Sequence, residues 1–449
     1  MRFSLAGYSL LVGGLHALSA HAIPSLSAVG SKLFYPNGTQ FYIKGVAYQL
    51  TPDDPLVDTA QCERDIAVMS ELGANTIRVY HVDASGDHSG CMSAFADAGI
   101  YLWVDLDTFD TAIDQTSPHW NETQFDRFKA VLDEFQQYNN TAGVFVGNEV
   151  LTTAAGSPAA PYVLAAARDI KAYRDSQGYR EIPVGYSAAD ITELRPMLQN
   201  YMACRSNASE RLDFFSLNAY EWCGDSSYTE SGYDMLEKNA TGYPIPIFFS
   251  ETGCNSVSPR TFTDQAAILG SDMDGTWSGA IIYEWIEETN DYGLISYGPY
   301  VSSAAATATN IEDGYTRSGT PTPISPDFTN LMNQWATLTP SGVALSDYTK
   351  STSTITLPSC PAYTSGGWEV HPSSALPTLG QTYNSDAATA TTGSSASSGT
   401  NTAAAAAATT SSSKSSANAV GAIGVTGADR LMKVSLVLSG LVGVFAWCL

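Results

Sequence analysis

Eight short apolar runs, each followed by a helical or polar stretch, constrain this chain more than any other feature. They fall at 41–47, 76–80, 100–105, 142–147, 183–186, 213–219, 246–250 and 279–284. Apolar runs of that length match parallel strands buried on both faces. The stretches at 62–72, 124–138 and 162–176 carry helical spacing, and Gly178 stops the last. Eight such units in roughly 300 residues predict an α/β fold, a (β/α)8 TIM barrel rather than an open sheet.

Two of the runs end on a glutamate. Glu149 closes Gly-Val-Phe-Val-Gly-Asn-Glu at the fourth, and Glu251 closes Ile-Pro-Ile-Phe-Phe-Ser-Glu at the seventh. A carboxylate at the end of a buried strand costs desolvation energy, so it needs a use. In a β/α barrel the strand ends carry the chemistry. Two carboxyl groups about 5–5.5 Å apart serve a retaining glycosidase, one as acid/base and one as nucleophile. Glu149 is expected to protonate the leaving oxygen and then activate the acceptor, with Glu251 attacking the anomeric carbon. Asn148 is placed to bond the sugar 2-hydroxyl, and Tyr283, ending the eighth run, to orient Glu251. Tyr48, Tyr220, Trp222 and Trp285 are read either as flat faces for sugar rings or as packing.

The formal charge of −24, with no basic patch, excludes a nucleic-acid partner. His81, Asp83, Asp87 and His88 read as a polar loop and not as metal ligands. The segment 105–110 lacks the glycine and glutamate of a calcium loop. No metal or cofactor is expected.

The chain's ends read as processing signals. Arg2, an apolar stretch and Ala20-His21-Ala22 form a secretory signal peptide. Ser416-Ala417-Asn418, a spacer and the apolar 431–449 form a GPI-attachment signal, with a C-terminal tail anchor as the alternative. Sequons begin at Asn37, Asn121, Asn139, Asn207 and Asn239. The expected division is a signal peptide at 1–22, a barrel at 23–335 and an extension at 336–363 tied back by Cys360. A disordered Ser/Thr/Ala-rich stalk follows at 364–418, then a removed signal at 419–449. Six cysteines remain in the oxidised ectodomain, and their spacing leaves all 15 pairings open.

Longer motifs carry a resemblance. Asn148-Glu149, Pro183-Val-Gly-Tyr-Ser-Ala-Ala-Asp190, Tyr220-Glu-Trp-Cys-Gly224 and Ser250-Glu-Thr-Gly-Cys-Asn255 occur in one collinear order. With Ile43-Lys-Gly-Val46, Asn75-Thr-Ile-Arg-Val-Tyr80 and Tyr292-Gly-Leu294, the chain resembles the fungal GPI-anchored β-1,3-glucanosyltransferases of glycoside hydrolase family 72. The resemblance covers residues 23–335. It implies acid/base Glu149 and nucleophile Glu251, with sugar contacts from Tyr80, Asn148, Asp190, Arg195 and Tyr283. It also implies disulfides Cys62–Cys91, Cys204–Cys360 and Cys223–Cys254. The last joins two neighbouring strand ends, where it would stiffen the loop after the nucleophile.

The expected activity is a transglycosylase that cleaves β-1,3-glucan internally and passes the fragment to the non-reducing end of another chain. Its partners would be glucan donor and acceptor and, through the anchor, the outer face of the plasma membrane and the cell wall; it would act as a monomer. A retaining hydrolase and a non-enzymatic glucan-binding wall protein are the alternatives. Asp114-Gln115, Thr252 and the loop 297–317 depart from the family pattern, which bears on acceptor preference and chain length.

Overall fold

The computed structural model describes residues 23–50, 54–108, 110–302, 310–351 and 356–383. Eight parallel strands close a barrel in chain order: β1 (Ile43–Ala47), β2 (Thr76–Val79), β3 (Tyr101–Asp105), β4 (Thr141–Asn148), β5 (Val184–Ala189), β6 (Phe214–Asn218), β7 (Ile247–Thr252) and β8 (Trp277–Ile282), with β8 pairing β1. The expected barrel is therefore the observed one, and each apolar run supplies one strand.

The connecting helices start and stop where local chemistry directs. In α1 (Thr59–Leu72) the Asp58 side chain accepts from the Gln61 amide, and Gly73 closes the helix at φ 85°. In α2 (Ser89–Asp97) the buried Cys91 faces α1 and forms the Cys62 disulfide. Asn121 and Gln124 form a capping box for α3 (Glu122–Phe135). Pro161 sits in the first turn of α4 (Ala160–Ser176), where its missing N–H costs nothing.

The barrel interior is layered. Below lies an aromatic plug, with Trp103 packed 4.7 Å from Phe214 and 4.8 Å from Phe248, centroid to centroid. Gly143 on β4 makes room for it, since a Cβ there would meet the indole at 2.2 Å. Above the plug the inward-facing residues turn polar: Arg78, Asp105, Ser187, Asn218, Ser250 and Glu251 are all buried. This layer, at the carboxyl ends of the strands, carries the candidate site.

Residues 364–383, which the sequence reading gave to the stalk, pack on the outside of the barrel instead. Trp368 is fully buried against Tyr201. Glu369 N donates to Ser157 Oγ, Arg168 reaches Pro377 O, and Gly380 N bonds Trp120 O. A few buried apolar side chains (Trp368, Val370, Leu376) suffice to hold a segment whose composition resembles a linker. Cys204–Cys360 anchors its start. The expected signal peptide, the chain beyond 383 and the attachment signal at 419–449 lie outside the described residues. Among the described residues, no helix is long and apolar enough to cross a membrane.

Candidate active site

Arg78 organises the site, and its guanidinium is fully buried. On β2 it alternates with Ile77 and Val79, so it shares the inner face with Tyr80. Its fork pairs with Asp105 on β3, Nε to Oδ1 at 3.1 Å and Nη2 to Oδ2 at 2.9 Å. Nη2 also donates to Asn148 Oδ1 at 3.0 Å, and Nη1 to Glu251 Oε1 at 3.3 Å. Below, its charge lies 4.5 Å from the Phe145 ring centroid; on another side it lies 4.3 Å from that of Tyr80.

Glu251 lies at the end of β7 and receives three donors. Tyr80 Oη donates to Oε1 at 3.0 Å and Tyr220 Oη to Oε2 at 2.8 Å, beside the Arg78 contact. These fix the carboxylate's orientation, as a nucleophile requires. Burial nevertheless raises its pKa to about 7; Arg78 opposes the rise, Glu149 adds to it and the tyrosine hydroxyls oppose it.

Glu149 follows β4 with φ 48°, a left-handed conformation unusual outside glycine. Its amide bonds Ser187 O, and Oε1 accepts from Asn218 Nδ2 at 2.9 Å. The Asn218 amide is oriented by the acceptors that face its Nδ2, while Ser187 Oγ and Ser250 Oγ lie against its Oδ1. Nδ2 also reaches Asn148 Oδ1 at 3.1 Å. A continuous path therefore joins the two glutamates: Glu149, Asn218, Asn148, Arg78, Glu251.

The other expected residues divide. Tyr80 and Asn148 lie in this centre. Tyr283 does too, 6.4 Å from Tyr80 and 6.5 Å from Tyr220 by ring centroid, but the side-chain donors to Glu251 are Tyr80, Tyr220 and Arg78. Glu251 is oriented by Tyr80 and Tyr220 instead. Asp190 and Arg195 form an ion pair beyond β5, leaving Asp190 Oδ2 without a hydrogen-bond donor among the direct contacts. The carboxyl of Glu221, just past β6, lies near enough to Asp190 to feel its charge. Burial, followed by Asp190, raises the Glu221 carboxyl above the usual carboxylate range, a rise its exposed surface moderates. Tyr48 and Trp285 are fully buried and serve as packing rather than as sugar faces.

Sequence reasoning missed Arg78, Asp105, Asn218 and Glu221 as site residues. The available signal for Arg78 was a charge inside an apolar strand, two residues before Tyr80 on the same face. Of the departures, Gln115 accepts from Thr152 N at 3.1 Å and so ties the loop after β3 to the loop behind Glu149. Thr252 packs buried under the Tyr233 hydroxyl. All three disulfides form the implied pairs, and Cys223–Cys254 bridges the loops after β6 and β7.

The raised carboxyls give a direct stability expectation. Burial lifts Glu251 to about 7, Asp107 to about 8, Asp264 to about 6 and Glu287 to about 7. A carboxyl raised in the fold contributes stability in full below its unfolded value near 4, and loses it as pH rises through the folded value. The raised His88, held between Asp54 and Glu134, acts in the same direction. Calorimetric unfolding midpoints should therefore be several degrees higher at pH 5 than at pH 8.5; an equal or higher midpoint at pH 8.5 contradicts the assignment.

The comparisons with known proteins agree with this geometry. The glucanosyltransferase family model of glycoside hydrolase family 72 matches residues 15–317. Protein EPD1 of Candida maltosa is 41% identical over 80% of this chain and 63% of its own length. The 1,3-beta-glucanosyltransferase gas2 of Schizosaccharomyces pombe is 40% identical over 83% of this chain and 80% of its own. This chain thus spans from under two thirds to four fifths of these two curated relatives. The structure of Saccharomyces cerevisiae Gas2p, a Glu-to-Gln mutant in complex with laminaritetraose and laminaripentaose, superposes with a TM-score of 0.70 at 37% identity, covering 80% of this chain and 76% of that one. With a barrel, a paired-glutamate centre and matches of this extent, the chain belongs to the glucanosyltransferases of glycoside hydrolase family 72.

Proposed function

We propose that this protein is a retaining transglycosylase of β-1,3-glucan. It cleaves one chain internally, holds the fragment as a glycosyl ester on Glu251, and passes it to the non-reducing end of a second chain. The observation that carries this reading is the path from Glu149 through Asn218, Asn148 and Arg78 to Glu251. The glucan class rests on the relatives' printed names and on the laminari-oligosaccharides bound to Gas2p.

Each group then has a task. Tyr80, Tyr220 and Arg78 hold Glu251 in line for attack and stabilise its charge until the ester forms. Asn148 bonds the 2-hydroxyl of the sugar being transferred, where such contacts strengthen in the transition state. Glu149 gives its proton to the departing oxygen, then takes one from the acceptor hydroxyl, and the second inversion restores the β configuration. Tyr220, Tyr283 and Tyr292 pack edge to face at 5.4–6.5 Å and offer apolar surface to sugar rings rather than to water. Asp190 and Arg195 are read as further sugar contacts. We place the protein as a monomer on the outer face of the plasma membrane and in the wall, held by a glycolipid at its C-terminal end; the sequence signals at both ends support this.

Incubation of purified protein with one defined β-1,3-oligosaccharide tests the reaction. Products longer than the substrate are expected, and products that are all shorter would assign a hydrolase.

A further inference from the structure

Tyr300 has the greatest exposure among the large hydrophobic side chains of the described residues, at 63%. It is nonetheless firmly placed. Ile311–Glu312 and Tyr315–Thr316 form a hairpin whose two-residue turn, Asp313-Gly314, has φ of 49° and 89°. Positive φ at both positions is the mark of the tight hairpin turn that Asp-Gly favours. Val301 N bonds Gly314 O, and the Tyr300 ring lies on Gly314, where a Cβ would meet Cε2 at 2.4 Å. Tyr315 supports the ring edge to face at 5.3 Å. A rigid aromatic that keeps one side bare is a platform and not a core residue.

The hairpin is tied to the catalytic end of the barrel. The hairpin belongs to the loop after β8, on the catalytic end of the barrel. Arg317, directly beyond it, pairs with Glu288, whose charge acts on Tyr283. Tyr315 lies close enough to Glu287 and Asp291 to feel their charge. Tyr292, next to Asp291, packs on Tyr220 and Tyr283 at the nucleophile. Two aromatic groups, Tyr220, Tyr283 and Tyr292 at the reacting centre and Tyr300 with Tyr315 on the hairpin, thus flank the carboxylates Glu287, Glu288 and Asp291. Those carboxylates, joined by Glu312 and Asp313, repel an anionic partner but accept hydrogen bonds from a polyol.

We propose that Tyr300, backed by Tyr315, is an outer subsite that stacks a glucose residue of a long β-1,3-glucan, extending the cleft on the β8 side. This rests on the glucan reading above. The platform makes affinity grow with chain length, because only a chain long enough to reach it gains the stacked ring.

The test is calorimetric titration of the Glu149→Gln protein with a graded series of β-1,3-gluco-oligosaccharides, against the same protein carrying Tyr300→Ala, Tyr300→Trp or Gly314→Ala. For Tyr300→Ala the shortest ligands should bind unchanged and the longest about tenfold more weakly. Tyr300→Trp should restore the gain with length. Gly314→Ala, which displaces the ring without removing it, should behave as Tyr300→Ala does. Affinity that grows equally with length in the parent and in Tyr300→Ala overturns the subsite while leaving the glucan reading intact. Equal weakening of short and long ligands also overturns it, since that is loss of loop structure. A parent that binds no β-1,3-glucan of any length overturns the glucan reading and the subsite together.

Discussion

Glu251→Gln should abolish turnover of every donor, by on the order of 10⁴-fold or more, because no covalent intermediate can form without the carboxylate. Glu149→Gln should behave differently. With a natural glucan donor the loss should be about 10²–10⁴-fold, the usual contribution of a positioned acid. With a donor whose leaving group departs unprotonated, Glu251 should still be glycosylated, and the intermediate should accumulate for want of a base. Intact-mass measurement reads this: one glycosyl unit added to Glu149→Gln, none to Glu251→Gln. A glycosylated Glu251→Gln protein, or identical behaviour of the two variants, contradicts the division of roles. The hydrogen bonds are the physical ground for this expectation. Glu251 is fixed by two tyrosine hydroxyls and a guanidinium, whereas Asn218 donates to Glu149 at only one of its oxygens.

Arg78→Met is expected to cost both stability and activity, and the two are separable. Removing one member of the buried Arg78–Asp105 pair leaves Asp105 uncompensated, a loss of about 3–5 kcal/mol. Adding Asp105→Asn removes the stranded charge and should recover part of that loss. Activity should not recover, because Arg78 also lowers the pKa of Glu251 from what burial alone would impose. Without it the pKa of Glu251 should rise, and the acid limb of kcat/KM should move to higher pH. Chemical denaturation and a pH profile of the single and double variants check both halves. An Arg78→Met protein that is destabilised yet keeps the parent's pH profile would reduce Arg78 to a structural ion pair.

The barrel was legible because parallel strands are buried on both faces and therefore read as unbroken apolar runs. The glutamate pair was legible because such runs tolerate few charges. Arg78 met the same criterion and was passed over, since its motif was read for Tyr80 alone; what it does depends on which neighbours it meets across the barrel, from Asp105 on β3 to Glu251 on β7. No spacing along one strand encodes that. Tyr283 shows the same limit: its place at the end of β8 was readable, but not that Tyr80 and Tyr220 would be the hydroxyls on Glu251. Tyr48 and Trp285 could not be sorted between cleft and core because an aromatic at a strand end suits either. The packed segment 364–383 was hidden by composition, as three buried apolar side chains hold it among serines, prolines and glycines. Glu221 was masked by its neighbours in Tyr220-Glu-Trp-Cys, whose carboxyl meets Asp190 only once β5 and β6 lie side by side.

The anomeric configuration of the newly formed linkage tests the central claim most directly. Proton NMR of the elongated product, recorded from a single defined β-1,3-oligosaccharide, distinguishes the two stereochemical outcomes through the anomeric coupling. Double displacement through Glu251 predicts a β linkage at the junction. An α linkage there would mean a single displacement, and would contradict the assignment of Glu251 as nucleophile.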